Sequence, residues 1–184
     1  MTAYVRRPSG QHDDLLAWVA RRAMNRDSCT GKLDSTVAAD VKSCDTPLEC
    51  ILAESEEEAR LNRSIFKHRI KHAGVVTLAM RYPTTGLCCG EILYIYDVEL
   101  TPDEKPEPGA DDGVDEFILI LWKEGLHRMQ NNEFKPNVYA VMIYSFFRHG
   151  LITLDDEPDY VEICTRLRRR LPMATTAVSS KYNG

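Results

Sequence analysis

Several things are scarce in this chain of 184 residues. No apolar run approaches the roughly 18 residues of a membrane span, so no membrane partner is expected. The opening stretch, MTAYVRRPSG, holds no apolar signal-peptide core. Basic residues are outnumbered, 23 Lys and Arg against 28 Asp and Glu, which leaves a net charge of −5. A nucleic-acid binder usually presents a basic face, so no nucleic acid is expected as a partner. There is no Gly-rich phosphate loop, no G-x-S-x-G elbow and no dinucleotide fingerprint. No Cys/His set has zinc-finger spacing, and no internal repeat is visible. The six cysteines include the adjacent pair Cys88-Cys89, and neighbours in sequence rarely bridge each other. The expectation is a reduced, cytoplasmic protein with free thiols.

What is present is ordinary for a globular chain: 43% hydrophobic and 28% charged residues. The length suits one domain, placed at 1–172, followed by an Ala/Thr/Ser-rich tail, 173–184, expected to be flexible. Strands are expected at Thr2–Arg6, Leu15–Arg21, Leu33–Ala38, Gly74–Tyr82, Glu91–Leu100 and Val114–Trp122, with turns at Pro8-Ser9-Gly10 and at Pro83. Helices are expected over 47–60, Lys123–Gln130, Asn137–His149 and Pro158–Leu171, with a short helical piece in Asn62–Ile70. Pro102–Gly113 reads as a loop. Short strands mixed with helices, without regular βαβ alternation, imply an α+β fold with a mixed sheet between helices.

The most distinctive stretch runs from Leu33 to Leu61, a strand, a turn-rich loop and an acidic helix. Thr46-Pro47 is a helix start, with Thr as the cap and Pro in the first turn. Leu48, Ile51, Leu52, Ser55 and Ala59 form a narrow stripe expected to be buried. Glu54, Glu57 and Glu58 stand at i, i+3 and i+4, so their carboxylates share a neighbouring face. Such a cluster is either a solvated acidic face or a seat for a hard divalent cation such as Mg²⁺.

That loop and helix resemble the signature of the Nudix superfamily, G-x5-E-x7-R-E-U-x-E-E-x-G-U, laid from Ala39 to Leu61. Glu54, Glu57, Glu58 and Leu61 match, and Asp45 stands near the first Glu. Ala39 and Arg60 replace the two glycines, Ala53 the arginine and Ser55 the aliphatic position. The rest of the chain resembles one branch of that superfamily, related to the domain attached to fungal thiamine pyrophosphokinase. TAYVR, WVARR, GKLDSTVA, YIYDVEL, VDEF, FKPN, RHG and EPDY carry the likeness across residues 2–172. The extra N-terminal domain usual in that branch is expected to be absent.

The resemblance implies a Nudix-type α/β/α sandwich with extra C-terminal helices. It implies a Mg²⁺- or Mn²⁺-dependent hydrolase of an organic diphosphate, of the thiamine-diphosphate-analogue type. Glu54, Glu57 and Glu58 would be its metal ligands and catalytic carboxylates. Glu91 and Glu116, where the branch also has acids, and Tyr94 and Tyr96, which offer ring faces, are the substrate-binding candidates. The family's arginine orients the carboxylates by ion pairing, and Ala53 cannot. Arg60 brings a cation beside the acids, expected either to replace that arginine or to displace a metal. The eroded motif also suits a Nudix-fold enzyme redirected to isomerase or cyclase chemistry in fungal specialised metabolism, or a non-catalytic binding protein. A small molecule is the expected partner, and the state a monomer or homodimer. His68 and His72 are candidates to align near the acidic helix. His149 reads as structural, the Arg166, Arg168, Arg169, Arg170 run as a solvated face, and Asp111-Asp112 as loop acids.

Overall fold

A computed structural model describes residues 1–7, 15–81, 86–110 and 112–171. The turn at Pro8-Ser9-Gly10, Pro83, Asp111 and the tail 173–184 lie outside the described residues.

The strands are β1 (Thr2–Arg6), β2 (Leu15–Arg22), β3 (Leu33–Asp34), β4 (Lys71–Arg81), β5 (Cys88–Glu99) and β6 (Val114–Leu121). The helices are α1 (Pro47–Ala59), α2 (Arg63–Phe66), α3 (Trp122–Gln130), α4 (Pro136–Arg148) and α5 (Tyr160–Leu167). All six strands join one mixed sheet, in which β1 and β5 run parallel and the other ladders are antiparallel. β2 gives one edge to β6. Its other edge is shared, Leu15–Trp18 pairing with β1 and Ala20–Arg21 with β3. β3 therefore continues the line of β1. It is shorter than the expected Leu33–Ala38. Thr36 leaves the ladder and uses its hydroxyl twice, donating to Trp18 O at 2.6 Å and accepting from Ala3 N–H at 2.8 Å.

The period-two alternation of the strands sorts their side chains between two helical layers. Ala3, Val5, Trp18, Tyr96 and Val98 pack with Ile51, Ala59, Leu61 and Phe66 of the α1–α2 layer. Tyr4, Val19, Leu33 and Ile120 pack on the opposite face with Trp122, Met129, Met142 and Phe146 of the α3–α4 layer. Val76 and Ile95 continue that second face against Val141, Tyr144 and Leu167. The result is the α/β/α sandwich expected. Phe134 and Phe146 are fully buried, each stabilising by about 1.5–3 kcal/mol relative to exposure.

The α3–α4 side is also pinned by polar groups. Asp97, on β5, is 6% exposed and takes both Arg148 guanidinium nitrogens, with His149 Nε2 3.5 Å away. Burial pushes the Asp97 carboxyl up, but His149 and Arg148 together outweigh it and hold it below the ordinary value. Beside it, β4 bulges at His72–Gly74, where Gly74 has φ +137°. A Cβ there would lie 2.3 Å from the Tyr144 hydroxyl, which donates to Ala73 O at 3.0 Å.

α5 stops at Leu167, short of the expected Leu171. Arg168 leaves the helix to bridge Thr77 on the outer edge of β4, and Thr77 Oγ1 donates to Arg169 O at 2.6 Å. The four arginines are exposed, as expected of a solvated face, and Arg168 also donates to the Tyr144 hydroxyl. All six thiols are free. Among the described residues no helix is long and apolar enough to cross a membrane.

Candidate functional site

α1 starts as its sequence dictates. The Thr46 hydroxyl accepts from Glu49 N–H at 3.2 Å, and the Glu49 carboxylate accepts from Thr46 N–H at 2.9 Å. This reciprocal box satisfies donors that a helix start leaves open. Ile51, Leu52, Ser55 and Ala59 face the sheet as expected, joined by Cys50. Leu48, expected in the stripe, is 37% exposed, and burial begins at Cys50 and Ile51. Ser55, at the motif's aliphatic position, is buried and satisfied by donating to Ile51 O at 2.5 Å.

The stop of α1 explains a motif position. Arg60 has φ +52°, and the amides of Arg60 and Leu61 donate to Ser55 O. A left-handed closing residue is where glycine fits without cost, and an L side chain there costs about 1–2 kcal/mol. The Arg60 guanidinium lies 3.7 Å from Glu107 in the 101–113 segment. It serves that segment rather than replacing the arginine missing at Ala53.

Cations from other parts of the chain meet the carboxylates instead. Lys42 Nζ, from the loop before α1, lies 3.9 Å from Glu54 Oε1. Arg26, from the loop after β2, lies 3.6 Å from Glu58 Oε1 and donates to Gly113 O at 3.4 Å. The Glu54 and Glu58 side chains are 17% and 15% exposed, and Glu57 faces solvent. Asp45 is exposed in the turn before the helix, with its backbone amide donating to Lys42 O at 3.1 Å. Among the described residues no three His, Cys, Asp or Glu side chains are gathered as a ligand set. The donor chemistry nonetheless fits a hard divalent ion, with three carboxylates on adjoining positions of one helix face. In this conformation two of them are turned towards Lys42 and Arg26.

The strand registers decide which other candidates can join them. Ala3 faces both Trp18 and Val98, so the end of β2 at Arg22 lies level with Tyr94 on β5. Tyr94 is 43% exposed and projects on the α1 side, at the end of the sheet that Arg26 and Gly113 occupy. Its cross-strand neighbours on that face are Val75, and beyond it Thr77 with Ile92. Tyr96 shares the face but belongs to the core, at 8% exposure, with the His72 ring edge-on at 5.4 Å. Glu91 and Glu116 project the other way. Glu91 accepts from Asn137 Nδ2 of α4 at 3.2 Å. Glu116 alternates with Phe117 of the α1 face and pairs with Arg21 at 2.6 Å. Neither acid lies on the face of the sheet that carries α1 and Tyr94. His72 lies on β4 and His68 in the exposed turn after α2, so they do not align. His149 packs edge-on to Tyr4 at 4.8 Å, a structural role as expected.

Arg26, Lys42 and the 101–113 segment were not foreseen. Nothing in their local sequence marks them, since each reaches the acidic helix through the fold. On the far side of the sheet, a groove of about 560 Å³ lies between α3, α4 and α5. Trp122, Leu126, Ile143, Phe147 and Ile163 line it, and it contains none of the sequence-predicted site residues.

No protein-family model matches the chain. It is similar to an uncharacterised protein of Saccharomyces cerevisiae, 34% identical over 167 residues, covering 86% of this chain and 48% of that protein. It is 31% identical to chloroplastic Nudix hydrolase 20 of Arabidopsis thaliana, over 92% of this chain and 43% of the relative. Chloroplastic Nudix hydrolase 24 of the same plant is also 31% identical, over 82% of this chain and 40% of the relative. The chain thus spans about half or less of the length of the curated relatives it matches. Among solved structures, the Nudix domain of Shewanella oneidensis NrtR complexed with ADP-ribose aligns with a TM-score of 0.55 at 10% identity, over 80% of this chain and 83% of that one. A MutT protein from Methanosarcina mazei aligns at 0.54 and 17% identity, over 81% and 91%. At these identities the structural likeness concerns the fold.

Proposed function

The chain belongs to the Nudix superfamily, and from that premise we propose that it hydrolyses an organic diphosphate with the help of a divalent metal ion, Mg²⁺ or Mn²⁺. The observation that carries this reading is the placement of Glu54, Glu57 and Glu58 on one face of α1, at the sheet end where Tyr94 stands exposed. Glu54, Glu57 and Glu58 would hold the ion. When bound, such an ion neutralises diphosphate oxygens and makes a bound water acidic. Glu57, the solvent-facing member, would take the proton released as water attacks phosphorus. Arg26 and Lys42, beside Glu58 and Glu54, would have to give way for those carboxylates to hold the ion.

The finer substrate class, a thiamine-diphosphate-like molecule, is supported by the whole-chain resemblance and by the ring face that Tyr94 offers an aromatic heterocycle. The domain at 1–172 would carry the whole site. Six free thiols suit a reducing compartment such as the cytoplasm.

The test is a panel of organic diphosphates, including thiamine diphosphate and its oxidised analogues, assayed for phosphate release with and without Mg²⁺ or Mn²⁺. The expected result is metal-dependent release, reduced about 100-fold or more in Glu57→Gln. Absence of release across the panel, with Glu57→Gln matching the parent, would falsify the reading. One observation favours the second reading, non-hydrolytic chemistry or ligand binding: Glu54 and Glu58 already have cations of the chain's own beside them. In that case the parent would bind a small molecule equally well with or without metal.

A further inference from the structure

The chain after β5, residues 101–110, meets the last turn of α1 through backbone hydrogen bonds, beside the Arg60–Glu107 ion pair. Gly109 N–H donates to Glu58 O and Glu107 N–H to Ala59 O, both at 3.0 Å. These are carbonyls that a helix end leaves without an internal donor. The approach is so close that a Cβ on Gly109 would lie 1.6 Å from the Glu57 carbonyl oxygen and 3.2 Å from Glu58 Cα. Both obstacles are backbone, so only glycine fits there.

The strap is tied at both ends. At its start Arg69 grips both Glu104 oxygens, at 2.6 and 2.9 Å, and also donates to Glu99 O. Thr101 N–H donates to the same Glu104 carboxylate at 2.8 Å. At its end Gly113 O accepts from Ala23 N–H at 3.1 Å and from Arg26. That same Arg26 lies 3.6 Å from the Glu58 carboxylate. One short assembly thus touches the backbone and the side chain of Glu58.

We infer that Gly109 is a positioning residue for the acidic site: by holding the carbonyl of Glu58 it fixes where the Glu57 and Glu58 carboxylates stand to receive a divalent ion. The inference rests on the reading of Glu54, Glu57 and Glu58 as a metal site. It assigns the strap a role that neither the motif nor the helix contains, because the support reaches the carboxylates from about fifty residues downstream.

The experiment titrates Mn²⁺ into the full chain and its variants, reading free Mn²⁺ by electron paramagnetic resonance. Backbone amide exchange is followed in parallel over the last turn of α1. The parent is expected to bind Mn²⁺. Gly109→Ala is expected to bind it about 10- to 100-fold more weakly, with faster exchange confined to that turn. Glu104→Gln, which loosens the strap without adding a clash, is expected to shift both readouts the same way by less. This second variant keeps the test usable if Gly109→Ala does not fold. Mn²⁺ affinity unchanged in Gly109→Ala, or in Glu104→Gln when only that variant folds, overturns the inference alone. A parent that binds no Mn²⁺ and releases no phosphate overturns the functional reading, and the positioning role falls with it.

Discussion

The two faces of the sheet are built differently. On the α3–α4 side, large side chains close over each other, and the buried Asp97, at 6% exposure, is paired with the Arg148 guanidinium. The α1 side carries Arg60 in a left-handed conformation, Gly109 against a helix carbonyl, like charges along one helix and Tyr94 left open, whereas the backbone exceptions of the other side, Asn132 and Gly74, lie beside a closed core. The difference lies in closure: one face is packed shut, while the other leaves charged and aromatic side chains open to solvent.

The largest effect should come from the closed face. Phe146→Ala removes a side chain with no exposure and should cost about 3–5 kcal/mol in denaturant unfolding. A loss under about 1 kcal/mol would mean that the two faces are not so unlike. Next, Arg148→Met strands the Asp97 carboxylate and should cost about 3 kcal/mol at neutral pH. Acid should narrow that difference. The Asp97 pKa is depressed in the folded chain, so its ionised form stabilises above the unfolded value near 4 and loses this as pH falls through the folded value. Unfolding curves of parent and variant that stay equally far apart into acid would count against the pairing.

The α1 face should respond more weakly, and in one case with the opposite sign. Arg60→Gly relieves the left-handed cost, offset by the greater freedom of glycine in the unfolded chain. A gain of about 0.5–1 kcal/mol is expected. The lost contact with Glu107 matters little, since both side chains are mostly exposed. A destabilised Arg60→Gly would show that this arginine holds the strap. The smallest effect belongs to Glu104, whose carboxyl Arg69 draws down to about 2. Its stabilisation is present above about 4.5, its ordinary value, and disappears as pH falls towards about 2. Solvent screens the pair, so roughly 1 kcal/mol or less is at stake, visible as a shallow acid slope absent in Glu104→Gln.

The acidic helix was legible because its signals are local. Thr46 and Pro47 mark its start, and the stripe from Ile51 to Ala59 follows a period that each turn repeats. Glu49, three residues after Thr46, was an available sign of the capping box. The alternation in β5 correctly put Ile92, Tyr94 and Tyr96 on one face. The same alternation put Glu91 on the other, where it accepts from Asn137 of α4. The arginine at the motif's last glycine was visible as a departure, yet its partner was not. Glu107 approaches only because the strap returns over α1.

By itself the sequence determined most of the elements and the row of three glutamates, since spacing along a helix or strand fixes which side chains share a face, while the sandwich was legible only through the family resemblance. Only the tertiary structure decided what those glutamates meet. Lys42, Arg26 and Gly109 come from three separate loops, and their arrival depends on strand registers and chain crossings that no local period encodes.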